Sequence, residues 1–304
     1  MTTANRLAPV VVFAYQRLDH LKRTIESLLN NAESALTDVV FFCDAAKRPE
    51  HQPQVEAVRA YVDSISGFHS VKRIYREANM GLSRSVMEGV TQMLGSYGRV
   101  IVLEDDLVLS PHFLRFMNDG LDRYEHDDRV ANIHAYVYPV DCTLPETFFL
   151  QGADCWGWAT WSRAWVGFER DGSRLLAELR ARRLSRDFDF DWQFPYTDML
   201  EDQILGRNSS WAILWHASCY LKGALTLYPG RTLVKNIGND SSGTHCGTTD
   251  ALSGDPSSSP VRVDAIPVKP SPVARAAFVR FFGKQRSWNT RLRSSVRRIL
   301  RAFE

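Results

Sequence analysis

Val100-Ile101-Val102-Leu103-Glu104-Asp105-Asp106-Leu107-Val108-Leu109-Ser110-Pro111 is the stretch on which the reading of this chain turns. Four branched aliphatic residues in succession predict a strand buried on both faces. Three carboxylates follow at its end. In an open α/β sheet the carboxyl ends of the strands border the ligand crevice. Adjacent acids repel one another and are costly unless a cation or hydrogen-bond donors compensate them. Hard divalent ions such as Mg²⁺ and Mn²⁺ take oxygen ligands, often one or two carboxylates plus substrate phosphates. The triplet therefore reads as a metal site able to neutralise a departing diphosphate. Taken alone, it reads equally as a solvated acidic turn.

Working outward from the triplet, the front half alternates strands and helices. Residues 8–16 form a continuous β-branched and aromatic run, a buried strand, with Asp19 as a cap and Leu21, Ile25, Leu28 and Leu29 at helical spacing after it through Asn31. A second strand, Asp38 to Cys43, ends at Asp44, and a helix carrying Val55, Val58, Val62 and Ile65 follows. The strand Val71 to Tyr75, the loop Asn79-Met80-Gly81 and a helix from Leu82 to Leu94 lead into the acidic stretch, with Gly95 to Gly98 as the break. This alternation predicts a mostly parallel α/β sheet.

Composition narrows the classes. The 304 residues are 44% hydrophobic and 24% charged, enough to bury a core. Lys and Arg total 37 against 35 Asp and Glu, so net charge gives no argument for nucleic acid. The apolar run Pro9 to Tyr15 is too short to span a bilayer and lacks a signal-peptide cleavage site. Five scattered cysteines with no CxxC pair argue against zinc or a disulfide framework, and the expectation is a cytoplasmic protein.

Beyond about residue 130 the pattern changes. Seven of the eight tryptophans fall between Trp156 and Trp215. A long helix is predicted from Asp202 to Leu221, stopped at Gly223, and a strand from Leu225 to Tyr228. The Ser- and Pro-rich stretch 251–272 reads as a linker. Residues 273–304 read as one or two basic amphipathic helices suited to an anionic membrane surface, with docking on the globular domain or a second subunit as the other reading. The predicted organisation is a catalytic domain over 1–250, with a nucleotide-binding half (1–130) and an acceptor half (131–250), then linker and tail.

Four stretches carry a family resemblance. Val-Val-Val-Phe-Ala-Tyr-Gln-Arg-Leu-Asp-His-Leu at 10–21, Phe-Phe-Cys-Asp at 41–44, Asn79 to Arg84, and Val-Leu-Glu-Asp-Asp-Leu-Val-Leu-Ser-Pro-His-Phe-Leu at 102–114 resemble the GT-A glycosyltransferases, supported by Trp156-Gly157-Trp158-Ala159-Thr160-Trp161. The chain looks most similar to the N-acetylglucosaminyltransferase I group and to bacterial O-antigen and capsule transferases, over about residues 8–246. The resemblance implies a GT-A fold (a mixed sheet flanked by helices), a nucleotide-diphosphate sugar donor, Mn²⁺ or Mg²⁺, and transfer of a hexosyl or N-acetylhexosaminyl group to a hydroxyl, with a UDP-sugar favoured. The acceptor would be a saccharide of a bacterial surface polysaccharide, and the basic tail over 273–304 suits a lipid-linked one met at the inner face of the membrane. Residue by residue, Asp106 matches the metal-binding carboxylate. Tyr15, Arg17, Asp44, Arg84, Glu104 and Asp105 fall on the donor side, with Asp44 able to accept hydrogen bonds from a uracil or ribose.

Direct displacement needs a carboxylate to take the acceptor's proton. Asp202 and Glu201 are the candidates, with Asp198 and Glu201 also reading as a capping box. Trp156, Trp158 and Trp161 are candidate sugar-facing aromatics, although tryptophan-rich stretches usually belong to a core. The polar segment Lys235 to Cys246 reads as a loop able to fold over a diphosphate through backbone N–H groups, with His245 as a candidate metal ligand. Two other functions fit parts of this pattern. A sugar-phosphate nucleotidyltransferase would call for a Gly-rich basic loop after the first strand, and none follows Tyr15. A non-catalytic nucleotide- or sugar-binding module would bind without hydrolysing donor.

Overall fold

A computed structural model of the chain describes residues 7–240, 252 and 254–285. In chain order the strands are β1 (Val10–Ala14), β2 (Asp38–Cys43), β3 (Ser70–Tyr75), β4 (Arg99–Glu104), β5 (Leu107–Leu109), β6 (Val130–His134), β7 (Thr147–Gln151), β8 (Trp158–Trp161), β9 (Leu225–Pro229) and β10 (Val234–Asn236). The helices are α1 (Leu18–Leu29), α2 (Gln52–Ser64), α3 (Leu82–Tyr97), α4 (Phe113–Arg123), α5 (Ser162–Trp165), α6 (Gly172–Ala181), α7 (Ser185–Phe188), α8 (Tyr196–Ile204), α9 (Trp211–Leu221) and α10 (Pro272–Gln285).

Eight strands form one mixed sheet in the order β3-β2-β1-β4-β8-β6-β9-β7. The four on the β3 side are mutually parallel, and β8 then runs antiparallel to both β4 and β6. Alternate residues of β1 show why the continuous apolar run was needed. Val10, Val12 and Ala14 pack on one face with Leu21, Ile25 and Leu28 of α1 and Val58 and Val62 of α2. Val11 and Phe13 pack on the other with Val86, Val90 and Met93 of α3. Both faces are covered, as a parallel sheet requires.

Chain order fixes the site. From β1 the chain moves to β2 and β3 on one side, then returns to β4 on the other, so the order reverses between β1 and β4. That switch point is where the carboxyl ends of neighbouring strands open a crevice. The segment after β1 and the acidic triplet after β4 meet there.

Several elements differ from the sequence reading. The helix expected over 202–221 is two helices, because Gly206 takes a left-handed conformation (φ 68°) and Ser210 caps a new helix by accepting from the Ile213 N–H at 3.4 Å. The expected Asp198–Glu201 capping box does not form: α8 starts at Tyr196, and the Asp189 carboxylate reaches back to accept from Thr197 N and Oγ1 at 2.7 and 2.8 Å. Asp19 lies in the first turn of α1, with Arg17 at the cap position. Helix α3 runs through Gly95 to Tyr97 and stops at Gly98.

The stretch 251–272 is no loose linker where it is described. Val261 and Val263 are buried, the Ser110 hydroxyl donates to Ser257 O at 2.6 Å, the Arg123 guanidinium donates to Val263 O at 3.0 Å, and Pro270 bridges to Phe149. Helix α10 then docks by Phe278, Phe281 and Phe282 among Tyr138, Phe148, Phe190, Phe194 and Tyr228. Arg275 pairs with Asp187 and Asp191 (2.7 Å to the latter), and Lys284 pairs with Asp141. The apolar face read as membrane-seeking is, over 272–285, spent on the protein's own core; residues 286–304 lie outside the described residues. Among the described residues no helix is long and apolar enough to cross a membrane.

Candidate functional site

Two packing arrangements place the acidic turn. The Thr24 hydroxyl of α1 donates to Asp105 O at 2.9 Å and accepts from Leu107 N at 3.1 Å, fixing the turn between β4 and β5 onto the first helix. On the other side β5 pairs antiparallel with β10, Leu107 facing Asn236, and Ile237 N donates to Asp106 O at 2.9 Å. The polar segment 235–240 is thereby laid over the acids. Its Gly238 comes so close that a Cβ there would stand 2.1 Å from Asp106 Oδ2 and 2.9 Å from Arg17 Nη1. Only glycine fits without a shift.

Arg17, at the end of β1, pairs with both acids: Nη2 contacts Asp105 Oδ1 and lies 2.8 Å from Asp106 Oδ2. The two carboxylates are 4% and 5% exposed, and among the described residues the guanidinium is the one positive charge that contacts them. Burial works against the Arg17 charge, but Asp105 and Asp106 outweigh it and raise its pKa. Glu104 is pushed up by burial first and then by the charges of Asp106 and Asp105, and Asp105 is pushed up by burial against the opposing pull of Arg17.

A cleft of about 400 Å³ opens beside this pair, lined by residues after β1 (Tyr15, Gln16, Arg17), Asp44 after β2, Lys47 and His51, Ser85 at the start of α3, Glu104, Asp105 and Ser209. The Tyr15 hydroxyl accepts from Lys47 N at 2.9 Å and contacts His51 Nδ1 at 2.6 Å. The Asp44 carboxylate accepts from Ala45 N at 2.9 Å, Met80 N at 2.9 Å and Gly81 N at 2.8 Å, so it builds the wall by holding the Asn-x-Gly loop. Three buried polar atoms of cleft residues, Gln16 Oε1, Arg17 Nη1 and Ser85 Oγ, have no hydrogen-bond partner within the protein. Each such group costs about 1–3 kcal/mol while unpaired, a cost that a polar ligand removes.

The remaining predicted site residues fall elsewhere. Arg84 is a solvent-facing residue of α3 paired with Glu88 at 2.7 Å, and it does not line the cleft. Glu201 accepts from Arg180 at 2.8 Å, and Asp202 pairs with Arg207; from their segment only Ser209 reaches the cleft lining. Trp158 and Trp161 are 1% and 3% exposed. Trp158 is packed against Trp211 at 5.3 Å between ring centroids, and the Trp161 indole donates to Leu121 O, so both are core residues with no face for a sugar. Trp156 is half-buried, set edge-on to Tyr136 at 4.7 Å. His245 lies outside the described residues.

Lys47, His51, Gln16, Ser85 and Ser209 were not singled out from the sequence. They converge only through the sheet order, although Gln16 and Ser85 flank positions that the motifs marked.

The corner offers a divalent ion a single carboxylate oxygen. Among the described residues no cluster of three or more His, Cys, Asp or Glu forms a cage. Asp106 Oδ1 is nevertheless buried and unpartnered, while Gly238 lies close against the other oxygen of the same carboxylate. One carboxylate oxygen, completed by ligand phosphates and water, is the donor set that Mg²⁺ accepts.

The front half of the chain is similar to known proteins. Residues 10–156, just under half of the chain, match the family model described as glycosyl transferase family 2. The matched stretch runs from β1 through β7 and takes in the switch point and the acidic turn, so over that stretch the chain is similar to this family. Similar solved structures include the mannosyltransferase PcManGT from Pyrobaculum calidifontis in complex with GDP-Man and Mn²⁺ (13% identity, 45% of this chain and 36% of that one, TM-score 0.34). Others are S. aureus TarS (14%, 48% and 24%, 0.32) and glucosyl-3-phosphoglycerate synthase from Mycobacterium tuberculosis in complex with Mn²⁺, UDP-glucose and phosphoglyceric acid (9%, 53% and 59%, 0.32). The matched part of this chain spans about a quarter to three fifths of those structures' own length. No curated protein matches the chain.

Proposed function

We propose that the protein is a metal-dependent glycosyltransferase that moves a hexosyl or N-acetylhexosaminyl group from a nucleotide-diphosphate sugar to a saccharide hydroxyl, with inversion, in building a bacterial surface polysaccharide. The observation that carries this reading is the buried, unpartnered Asp106 Oδ1, set at the sheet's switch point under the Gly238 loop and beside a cleft with unfilled hydrogen-bond capacity. In this reading the cleft residues Tyr15, Gln16 and Ser85 hold the nucleoside, and Asp44 shapes its wall. Arg17 holds Asp106 in place, and its free Nη1 faces the donor's diphosphate. An ion held by Asp106 supplies charge neutralisation to that leaving group. The backbone N–H groups of the Gly238 loop shield it from water.

A UDP-sugar is the favoured donor, since Gln16 offers both an acceptor and a donor to an imide edge. The acceptor enters from the side of Trp156, and a lipid-linked saccharide at the inner face of the membrane is the acceptor class this reading favours. The test is a panel of nucleotide sugars with Mn²⁺ or Mg²⁺ and mixed saccharide acceptors, followed by released nucleoside diphosphate. One donor should be turned over slowly to water and faster with acceptor. Binding without turnover of any donor would instead support a non-catalytic module, and release of pyrophosphate from a nucleoside triphosphate would support a nucleotidyltransferase.

A further inference from the structure

Resting on the transferase reading, we infer that Asp154, in the turn leading into β8, is the general base that takes the acceptor hydroxyl's proton. The sheet register puts it at the reacting edge. Strand β8 runs antiparallel to both β4 and β6, so β6 ends on the same carboxyl edge as β4, and its last residue, His134, lies 4.0 Å from Asp154 Oδ2. Asp154 thus stands past the donor-side acids, on the side of the half-buried Trp156, where an acceptor sugar would lie.

Its surroundings hold it in place. Asn132 Nδ2 donates to Asp154 O at 3.2 Å, and Asp154 Oδ1 accepts from Cys155 N at 3.0 Å. Oδ2 faces His134 Nδ1 at 4.0 Å, and His134 is fully buried. His134 Nε2 accepts from Trp156 N at 3.1 Å, which puts the proton of the neutral ring on Nδ1, toward Asp154. At 4.0 Å that N–H makes no hydrogen bond to the carboxylate, and the ring cannot take its proton in that tautomer. Of the other carboxylates near this edge, Asp44 is held by backbone N–H groups, Asp105 and one oxygen of Asp106 by Arg17, and Glu104 lies on the donor side among the cleft residues.

The side chain of Asp154 is 19% exposed, so the carboxyl keeps a path to a ligand. The titratable groups around it are His134, Tyr136, Tyr138, Cys155, Tyr196 and Tyr228, and burial holds His134 and the four tyrosines uncharged at neutral pH. With no cation among them, burial pushes Asp154 up to about 7, the range in which a carboxylate serves best as a base at neutral pH. In the step itself the acceptor O–H proton goes to Asp154 Oδ2. The freed oxygen pair forms the new bond to the anomeric carbon, and the electron pair of the breaking bond leaves on the nucleoside diphosphate oxygen.

Asp154→Asn in the full chain is the test, with Asp154→Glu as the variant that keeps the carboxylate. Calorimetry with uridine diphosphate and Mn²⁺ should give the same affinity within about twofold for all three proteins. Turnover of the accepted donor should fall about 100-fold or more in Asp154→Asn and recover at least tenfold in Asp154→Glu. The acid limb of the wild-type kcat profile, centred near pH 7, should vanish in Asp154→Asn. Asp154→Asn turnover within about threefold of wild type at every pH would overturn the inference, as would loss of that limb in Glu104→Gln or Asp202→Asn instead. A wild-type protein that turns over no donor would overturn the transferase reading itself, and this inference with it.

Discussion

Arg17 Nη2 lies 2.8 Å from Asp106 Oδ2, joining two residues 89 positions apart that leave the ends of adjacent parallel strands. This contact makes a buried pair of acids tolerable before any metal or diphosphate arrives, because one guanidinium serves both Asp105 and Asp106.

Arg17→Met removes that charge and leaves two buried carboxylates uncompensated. Breaking a largely buried pair from one side costs about 2–4 kcal/mol, so the urea midpoint of the variant should drop accordingly. Added Mn²⁺ should recover more stability in Arg17→Met than in wild type, since it supplies the missing positive charge. Equal midpoints with and without metal would show that the acids do not need the arginine.

Gly238→Ala puts a Cβ where the Asp106 carboxylate stands. The loop must move away, so donor turnover should fall at least about tenfold while the thermal midpoint changes by only a few degrees, the loop being a surface segment. Unchanged turnover would mean that the loop does not lie over Asp106 during catalysis.

These two residues show how far the sequence could be read. The continuous apolar runs, their length and the acids ending β4 announced a parallel sheet and its crevice, because those signals are local. The return of β8 between β4 and β6 is set by long-range pairing that leaves no periodic trace, and it decides that Trp158 and Trp161 are core while Asp154 faces the edge. Burial of the 251–272 strap was hidden for a related reason: its Ser and Pro content describes a chain without regular structure, which packs as well as it hangs free. The Asp189 cap on α8 lay eight residues from Thr197, too far for a capping pattern to show.

Stability against pH follows from buried histidines. His134 and His216 are held neutral by burial, down to about 3 and about 4, whereas an unfolded histidine titrates near about 6.5. Between those values the unfolded chain binds protons that the native chain refuses, so stability must fall as pH drops below about 6.5. Asp154 acts in the opposite sense. Native Asp154 keeps a proton up to about 7 that the unfolded chain releases near about 4, which costs stability as pH rises through that window. Asp154→Asn should therefore be more stable than wild type at pH 8, by up to about 4 kcal/mol, and nearly equal to it at pH 3.5. Urea titrations of both proteins across that range check the sign.

Phe278 anchors α10. It is 1% exposed, with Tyr138 at 5.1 Å, Tyr228 at 6.0 Å and Phe148 at 6.1 Å between ring centroids. Phe278→Ala should cost about 3–5 kcal/mol, where a helix that worked only on a membrane would cost almost nothing. Chemical denaturation in the absence of lipid distinguishes the two.

The most direct measurement is calorimetric titration of wild type and Asp106→Asn with uridine, guanosine and thymidine diphosphates, each with and without Mn²⁺. Wild type should bind one of them in a strongly Mn²⁺-dependent way, and the substitution should remove that dependence. Binding of equal strength with and without the ion, unchanged in Asp106→Asn, would contradict a cation held at the end of β4.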